Sequence, residues 1–284
     1  MKIGTVTVEP AVMNGACNIA KTIDDVKEYA KTSVGAITVG SITVQPRDGN
    51  AEPRWFVGDG YALNSFGMPN GGIEFYRENL PEMIHLAHDA DKKLSLSIAG
   101  FSTDEYVQLA SMAESAKVDL LELNLGCPNI SVDGVQKPIV SFDREKMIEI
   151  INAVSAVTVI PLMVKLSPYS NPAELKLVAD VLTKSNKVSA VVTSNSFPNS
   201  TMNVDGKPVI VAEYAGFTGH SFLPIGLGQV KQFRSILPES IQVIGAGGIE
   251  TKADVELYKQ VGASGVQATT LIVRDGHSAI ERLF

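Results

Sequence analysis

Met13-Asn14-Gly15-Ala16-Cys17-Asn18-Ile19-Ala20-Lys21 begins inside the first strand-like run, Val12 to Asn14, and contains no G-x-G-x-x-G. A doubly wound open sheet that binds a dinucleotide would carry that glycine fingerprint directly after its first strand. In its absence, the alternation of short β-branched runs with amphipathic helices along the chain favours the other parallel-sheet solution, a closed barrel. Eight runs can be counted: Val12 to Asn14, Ala36 to Gly40, Leu94 to Ala99, Leu120 to Gly126, Leu162 to Leu166, Ala190 to Asn195, Gln242 to Gly245 and Gly265 to Ala268. That number predicts an α/β fold, a (β/α)8 TIM barrel with long active-face loops.

The helices between these runs announce themselves. Thr22 and Asp25 make a capping-box pattern ahead of an apolar face containing Ile23, Val26, Tyr29 and Ala30. Asn171 caps a helix that has Pro172 at its first position and Leu175, Val178, Ala179 and Leu182 as its buried stripe, and Thr251 with Asp254 opens another. Two stretches, Ile42 to Gly72 and Ser196 to Phe222, are too long for simple connections, and loops of that size are usually functional. No low-complexity tract or charge block divides the chain, so one barrel domain is expected over residues 1–284.

With 45% hydrophobic and 19% charged residues the chain can bury a sizeable core, which argues against disorder. Its 24 basic and 31 acidic residues give a net charge of −7, which offers no broad attraction for nucleic acid or an anionic membrane. Small-molecule chemistry is therefore expected, with neither nucleic acid nor membrane as partner. Lys2 and the alternating Ile3 to Val8 form no targeting leader, and no long apolar run is present, so a cytoplasmic protein is expected. Cys17 and Cys127 stand far apart and form no disulfide framework. His85, His88, His220 and His277 lack metal-ligand spacing, and no metal is expected.

A barrel of this kind works at the carboxyl ends of its strands, so the residues directly after each apolar run carry the chemistry. The fourth run ends Leu123-Asn124-Leu125-Gly126-Cys127-Pro128-Asn129, which is either a turn with a buried small thiol or a mouth lined by two amides and a reactive one. The fifth ends Val164-Lys165-Leu166-Ser167-Pro168. A lysine in an apolar run either snorkels outward between helices or needs a partner for its buried charge, and an anionic ligand supplies one. The seventh runs into Gly245-Ala246-Gly247-Gly248-Ile249 and the eighth into Ala268-Thr269-Thr270. Barrels commonly bind phosphate at these two strand ends, through backbone N–H groups that glycine lets a ligand approach, although a G-G turn by itself only caps a strand.

From Pro10 to about Arg282 the chain resembles the dihydroorotate dehydrogenases. Six motifs carry the resemblance in family order: Met13-Asn14-Gly15-Ala16; Pro46-Arg47-Asp48-Gly49-Asn50 with Pro53-Arg54; Asn64-Ser65-Phe66-Gly67-Met68-Pro69-Asn70; Ser97-Ile98-Ala99-Gly100; Asn124 to Asn129; and Val164-Lys165-Leu166. The N-S-x-G-x-P-N and N-L-x-C-P-N pieces are the specific ones. The resemblance implies an FMN enzyme of pyrimidine biosynthesis. A base removes a C5 proton from dihydroorotate, hydride passes from C6 to flavin N5, orotate leaves, and an acceptor reoxidises the flavin.

The same resemblance implies the roles of single residues. Cys127 is the catalytic base, which must be a thiolate to act and which marks the soluble class 1 branch. Lys165 lies beside flavin N1 and O2, where charge accumulates on reduction. Asn64, Asn124, Asn129, Asn195 and Ser196 hold the planar dihydropyrimidine carboxylate, with Phe66, Gly67 and Met68 lying along it. Ala16, Cys17, Gly40, Ser41 and Gly219 border the cofactor, with Cys17 read as structural, and Gly247, Gly248, Thr269 and Thr270 fall at the FMN phosphate. Lys137-Pro138 with Ser141-Phe142-Asp143 resembles the class 1A homodimers that use fumarate, except that the loop from Ile130 to Gln136 is longer by about four residues.

Three further features depart from the family pattern. Gly40 stands where class 1 members have a lysine that reaches flavin and substrate. Membrane-type relatives supply theirs from the first strand-loop, which makes Lys21 a candidate replacement, although a solvated place at a helix start is its expected position. Thr269 replaces a phosphate-site glycine, and the final helix looks curtailed. Three rivals stay open: an FMN enzyme acting on another 5,6-dihydropyrimidine, a flavin-free barrel lyase or isomerase using Lys165 as a Schiff-base nucleophile, and a flavin-binding relative without dehydrogenase activity.

Overall fold

Strands of a barrel alternate between two environments, and the two apolar cores of this protein follow that period. In Leu120–Asn124, Leu121 and Leu123 face the helices, whereas Leu120 faces the barrel interior; in Leu162–Lys165, Leu162 and Val164 face out and Met163 faces in. The interior core gathers Leu120 and Met163 with Met13, Ala36, Ala190, Val192 and Ile244. Truncating a residue so completely buried to Ala costs about 2–5 kcal/mol. A computed structural model describes residues 1–129, 131–132 and 135–284.

The eight barrel strands are Val12–Asn14, Ala36–Ile42, Lys93–Ile98, Leu120–Asn124, Leu162–Lys165, Val188–Val192, Gln242–Ala246 and Gly265–Ala268. They close in the order five, six, seven, eight, one, two, three, four, with all neighbours parallel. Every run counted in the sequence is one of these strands. At the amino end a two-stranded ribbon, Lys2–Ile3 against Val6–Thr7, places Ile3 and Val8 in the interior core and stoppers the barrel.

The helices are α1 (Ile23–Ala30), α2 (Gly72–Asp89), α3 (Thr103–Ala116), α4 (Arg144–Ser155), α5 (Pro172–Ser185), α6 (Leu223–Ile236), α7 (Lys252–Gln260) and α8 (Thr270–Asp275). Thr22 and Thr251 both form the full reciprocal capping box with an aspartate at N3, and Asn171 caps α5 ahead of Pro172. Each such cap contributes about 1 kcal/mol. After the short α8, the chain makes a 3-10 turn over His277–Leu283 that buries Ala279, Ile280 and Leu283.

The two long stretches are more ordered than loops. Trp55–Val57 and Ala62–Asn64 from the first, with Phe197–Ser200 and Ala215–Thr218 from the second, form one antiparallel sheet. Leu63, Ile210 and Ala215 give it a small core of its own. The sequence concealed this cap because its strands are three or four residues long, below the length at which alternation becomes readable. The lengthened segment expected at 130–136 includes residues 130, 133 and 134, which lie outside the described residues.

Candidate active site

The period of two that sends Met163 inward also sends Lys165 inward, at the mouth end of the fifth strand. Its side chain does not snorkel outward: Lys165 is 5% exposed, and its Nζ donates to Gln267 Oε1 at 3.2 Å. Around it opens a cleft of about 770 Å³, counted out to its open mouth. Its walls include Ala16 and Cys17 after the first strand, Asn64 and Phe66 with the cap, Asn195 and Ser196 after the sixth strand, Gly247 and Gly248 after the seventh, and Thr269 and Thr270 after the eighth.

Gly247 and Gly248 have φ of 108° and 73°, the left-handed region that favours glycine. A Cβ at Gly248 would stand 2.5 Å from the Leu223 amide nitrogen, and one at Gly247 would stand 2.3 Å from the Phe222 ring. Thr269 has an ordinary φ of −134°, and its Oγ1 occupies the space that a Cβ on Gly15 would need, so Gly15 makes room for the threonine. Thr270 Oγ1 lies 2.7 Å from Thr218 Oγ1 of the cap. Because α8 has only six residues, an anion placed here would meet turn amides and hydroxyls more than a helix dipole.

The other amides singled out by the sequence hydrogen-bond to residues of these walls. Asn129 Nδ2 donates to Asn64 Oδ1 at 2.8 Å, and Asn195 Nδ2 donates to Asn124 Oδ1 at 3.2 Å. Asn124 Nδ2 donates to Ser41 Oγ at 2.7 Å. Gly67 and Met68 have φ of 71° and 56° beside Phe66, and the Gly67 carbonyl accepts from Arg47 Nε at 3.0 Å. Gly219, with φ 96°, backs onto Tyr61 of the cap. Trp55 stacks on Phe66 at 5.5 Å.

Gly40 has φ 120°, and a Cβ there would lie 2.3 Å from the Ser97 carbonyl oxygen. No lysine fits this backbone. Lys21 corrects the sequence-based expectation. It is not solvated: its side chain is buried, and its ammonium donates to the Pro69 carbonyl. Burial lowers its pKa to about 8, against the pull of negative charge at Cys17, Cys127 or Asp25. The Thr22–Asp25 box turns the chain into α1 directly after Lys21 and holds it inward: Asp25 also accepts from the Lys21 amide at 2.9 Å.

Burial raises the Cys127 thiol above its ordinary range, opposed by the Asn129 amide and by the positive charges of Lys21, Lys165 and Arg47. Cys17 is raised in the same way, with its Sγ 4.0 Å from the Tyr29 hydroxyl. Sequence reasoning missed Glu122, Gln267, Trp55 and Thr218. Glu122 and Gln267 were accessible to the reasoning that singled out Lys165, since each is a polar residue within an apolar run. Trp55 and Thr218 reach the cleft through the cap, which no local signal marks. Among the described residues no group of three or more His, Cys, Asp or Glu is placed to hold a metal ion, and no helix is long and apolar enough to cross a membrane.

Fold and site together define a (β/α)8-barrel enzyme whose working face lies at the carboxyl ends of its strands, under an antiparallel cap. The family model for dihydroorotate dehydrogenase matches residues 2–284. The chain belongs to that family, whose members are oxidoreductases acting on CH–CH donors and are generally flavin-dependent. It is 35% identical to the dihydroorotate dehydrogenase (fumarate) of Trypanosoma cruzi over 280 residues, covering 95% of this chain and 86% of the relative. It is 32% identical to the enzyme of the same name from Lachancea kluyveri, covering 98% and 88%. It is 31% identical to the probable dihydroorotate dehydrogenase A (fumarate) of Streptococcus pneumoniae, covering 96% and 86%. These relatives put the chain on the class 1 branch. A crystal structure of an Eimeria tenella dihydroorotate dehydrogenase in complex with ferulenol has the same fold, with a TM-score of 0.83 at 21% identity over 99% of this chain and 81% of that one.

Proposed function

We propose that this protein is a cytoplasmic FMN-dependent dihydroorotate dehydrogenase that serves pyrimidine biosynthesis as a homodimer, with residues 1–284 as one FMN-binding barrel domain. Fumarate is its acceptor, in line with the names of its relatives. The observation that carries this reading is the inward Lys165 at the floor of a cleft whose far wall is the positive-φ Gly247–Gly248 turn with Thr269 and Thr270. A buried cation and a glycine turn in one cleft are the donor set that a flavin mononucleotide requires.

When bound, FMN supplies the two-electron acceptor for the substrate's C6 hydride. The protein does the rest. Lys165 Nζ places a fixed positive charge where negative charge collects on reduction, in a site too buried for water to screen it. The paired amides Asn64 with Asn129 and Asn124 with Asn195 present donors and acceptors to the edges of a planar ring. Cys127 Sγ takes the C5 proton. Lys21 supplies the substrate-facing charge that Gly40 lacks, and its ammonium offers the substrate carboxylate an ion-pair partner.

Anaerobic mixing of the FMN-loaded protein with dihydroorotate tests the reading, because the oxidised flavin absorbance should bleach. Bleaching with dihydrouracil in place of dihydroorotate would transfer the activity to another dihydropyrimidine. A colourless protein that cannot be reconstituted with FMN would end the flavin assignment.

A further inference from the structure

Glu122 is a carboxylate with no exposure to solvent, and none of the chemistry above uses it. It sits on the fourth strand one inward position below Asn124. Burying such a group is costly unless it is paired or fully hydrogen-bonded. Its two oxygens are both engaged: Oε2 accepts from Gln267 Nε2 at 2.7 Å and Oε1 accepts from Ser97 Oγ at 2.8 Å.

Both contacts lead to the active face. Lys165 has only protons to donate, so it fixes the Gln267 amide with Oε1 toward the ammonium and Nε2 toward Glu122. On the other side, Ser97 Oγ lies 2.9 Å from Ser41 Oγ, which accepts from Asn124 Nδ2, whose own Oδ1 accepts from Asn195 Nδ2. With Ser97 donating to Glu122, the Ser41 hydroxyl donates to Ser97, and every proton in both branches points toward the same carboxylate. A direct Lys165–Glu122 ion pair would draw the ammonium down into the barrel. One interposed carboxamide keeps the counter-charge at a distance and leaves the ammonium in the cleft.

We infer that Glu122 is a positioning residue that acts through Gln267 on Lys165, as the buried counter-charge that sets the reduction potential of the bound flavin. The inference rests on the flavin reading above. A negative charge held below the cleft opposes the gain of negative charge on reduction, so it lowers the potential; neutralising it raises the potential. Were the carboxylate to stand on the order of 10 Å from the reduced ring, at an effective dielectric of about 20, its unit charge would alter the balance between the two charge states by roughly tenfold.

The test is the reduction potential of the FMN-loaded protein, measured anaerobically against a reference dye. Glu122→Gln keeps the shape and removes the charge, and should tighten binding of reduced over oxidised FMN by roughly tenfold, a rise of about 30 mV for a two-electron couple. Glu122→Asp keeps the charge and should hold the potential near that of the parent, which loss of packing alone would not achieve. If Glu122→Gln does not accumulate as folded protein, Gln267→Leu carries the test: it removes the amide whose negative end faces the ammonium, and the potential should again rise. Equal potentials in parent and variant, both with flavin bound, overturn the inference and leave the dehydrogenase reading intact. A parent that binds no FMN overturns both.

Discussion

Lys21 and Cys127 are a buried base and a partly buried acid in electrostatic contact, and the state of each depends on the other. Burial favours the neutral pair, an amine and a thiol, whereas their mutual attraction favours the charged pair. If Cys127 is the base, its raised pKa makes the rate of flavin reduction by dihydroorotate climb with pH through the neutral range toward the alkaline side. Cys127→Ala should suppress that half-reaction at every pH while retaining bound flavin, and stopped-flow rates equal to those of the parent would reject the assignment. Lys21 also bears on stability. Its folded pKa of about 8 lies below the ordinary lysine value of 10.5, so the unfolded chain binds more protons between those limits and stability rises with pH across that window. Below pH 8 the buried charge is a cost. Lys21→Met should therefore stabilise the free protein at pH 7 by about 1 kcal/mol or more, measured by denaturant unfolding, while raising the KM for dihydroorotate at least tenfold. A stabilised variant with an unchanged KM would remove Lys21 from the substrate site.

At the scale of elements, the second strand and the cap decide what the mouth can hold. The second strand shifts register between Val39 and Ile42, the segment in which Gly40 takes its left-handed φ against the Ser97 carbonyl. Gly40→Ala should cost about 1–3 kcal/mol in equilibrium unfolding because the new Cβ meets backbone that cannot retreat. A variant as stable as the parent would show that the strand adapts and that a lysine is admissible there. The strands and caps were legible because each is written within a few neighbouring residues, as Thr22 with Asp25 states its own cap, whereas a lysine at the end of the apolar run Leu162-Met163-Val164 could be marked as notable but not aimed. Trp55 was not legible, because its place in the cleft depends on pairing across the cap with Asn64, and of Asn64 in turn with Gly216, 152 residues away.

For the whole molecule, a ligand that binds only the folded barrel must stabilise it. FMN at about 100 times its Kd should add about 2.7 kcal/mol, which for a chain of this size is a rise in Tm of several degrees, on the order of 5–10 °C. A melting curve unmoved by saturating FMN would contradict the flavin site. The proposed homodimer predicts a single sedimenting species of twice the chain mass at micromolar concentration, and a monomer there would remove that part of the proposal.

By itself the sequence determined the number and order of the barrel strands, the capped helices between them and the place of Lys165 at the end of the fifth strand, because each follows from short-range periodicity and turn chemistry. Only the tertiary structure decided that Lys21 is buried against the Pro69 carbonyl, that Gly40 excludes a lysine, and that Glu122 meets Gln267 across 145 residues of chain. These are contacts between distant segments, and their energies come from desolvation and pairing that exist only once the barrel has closed.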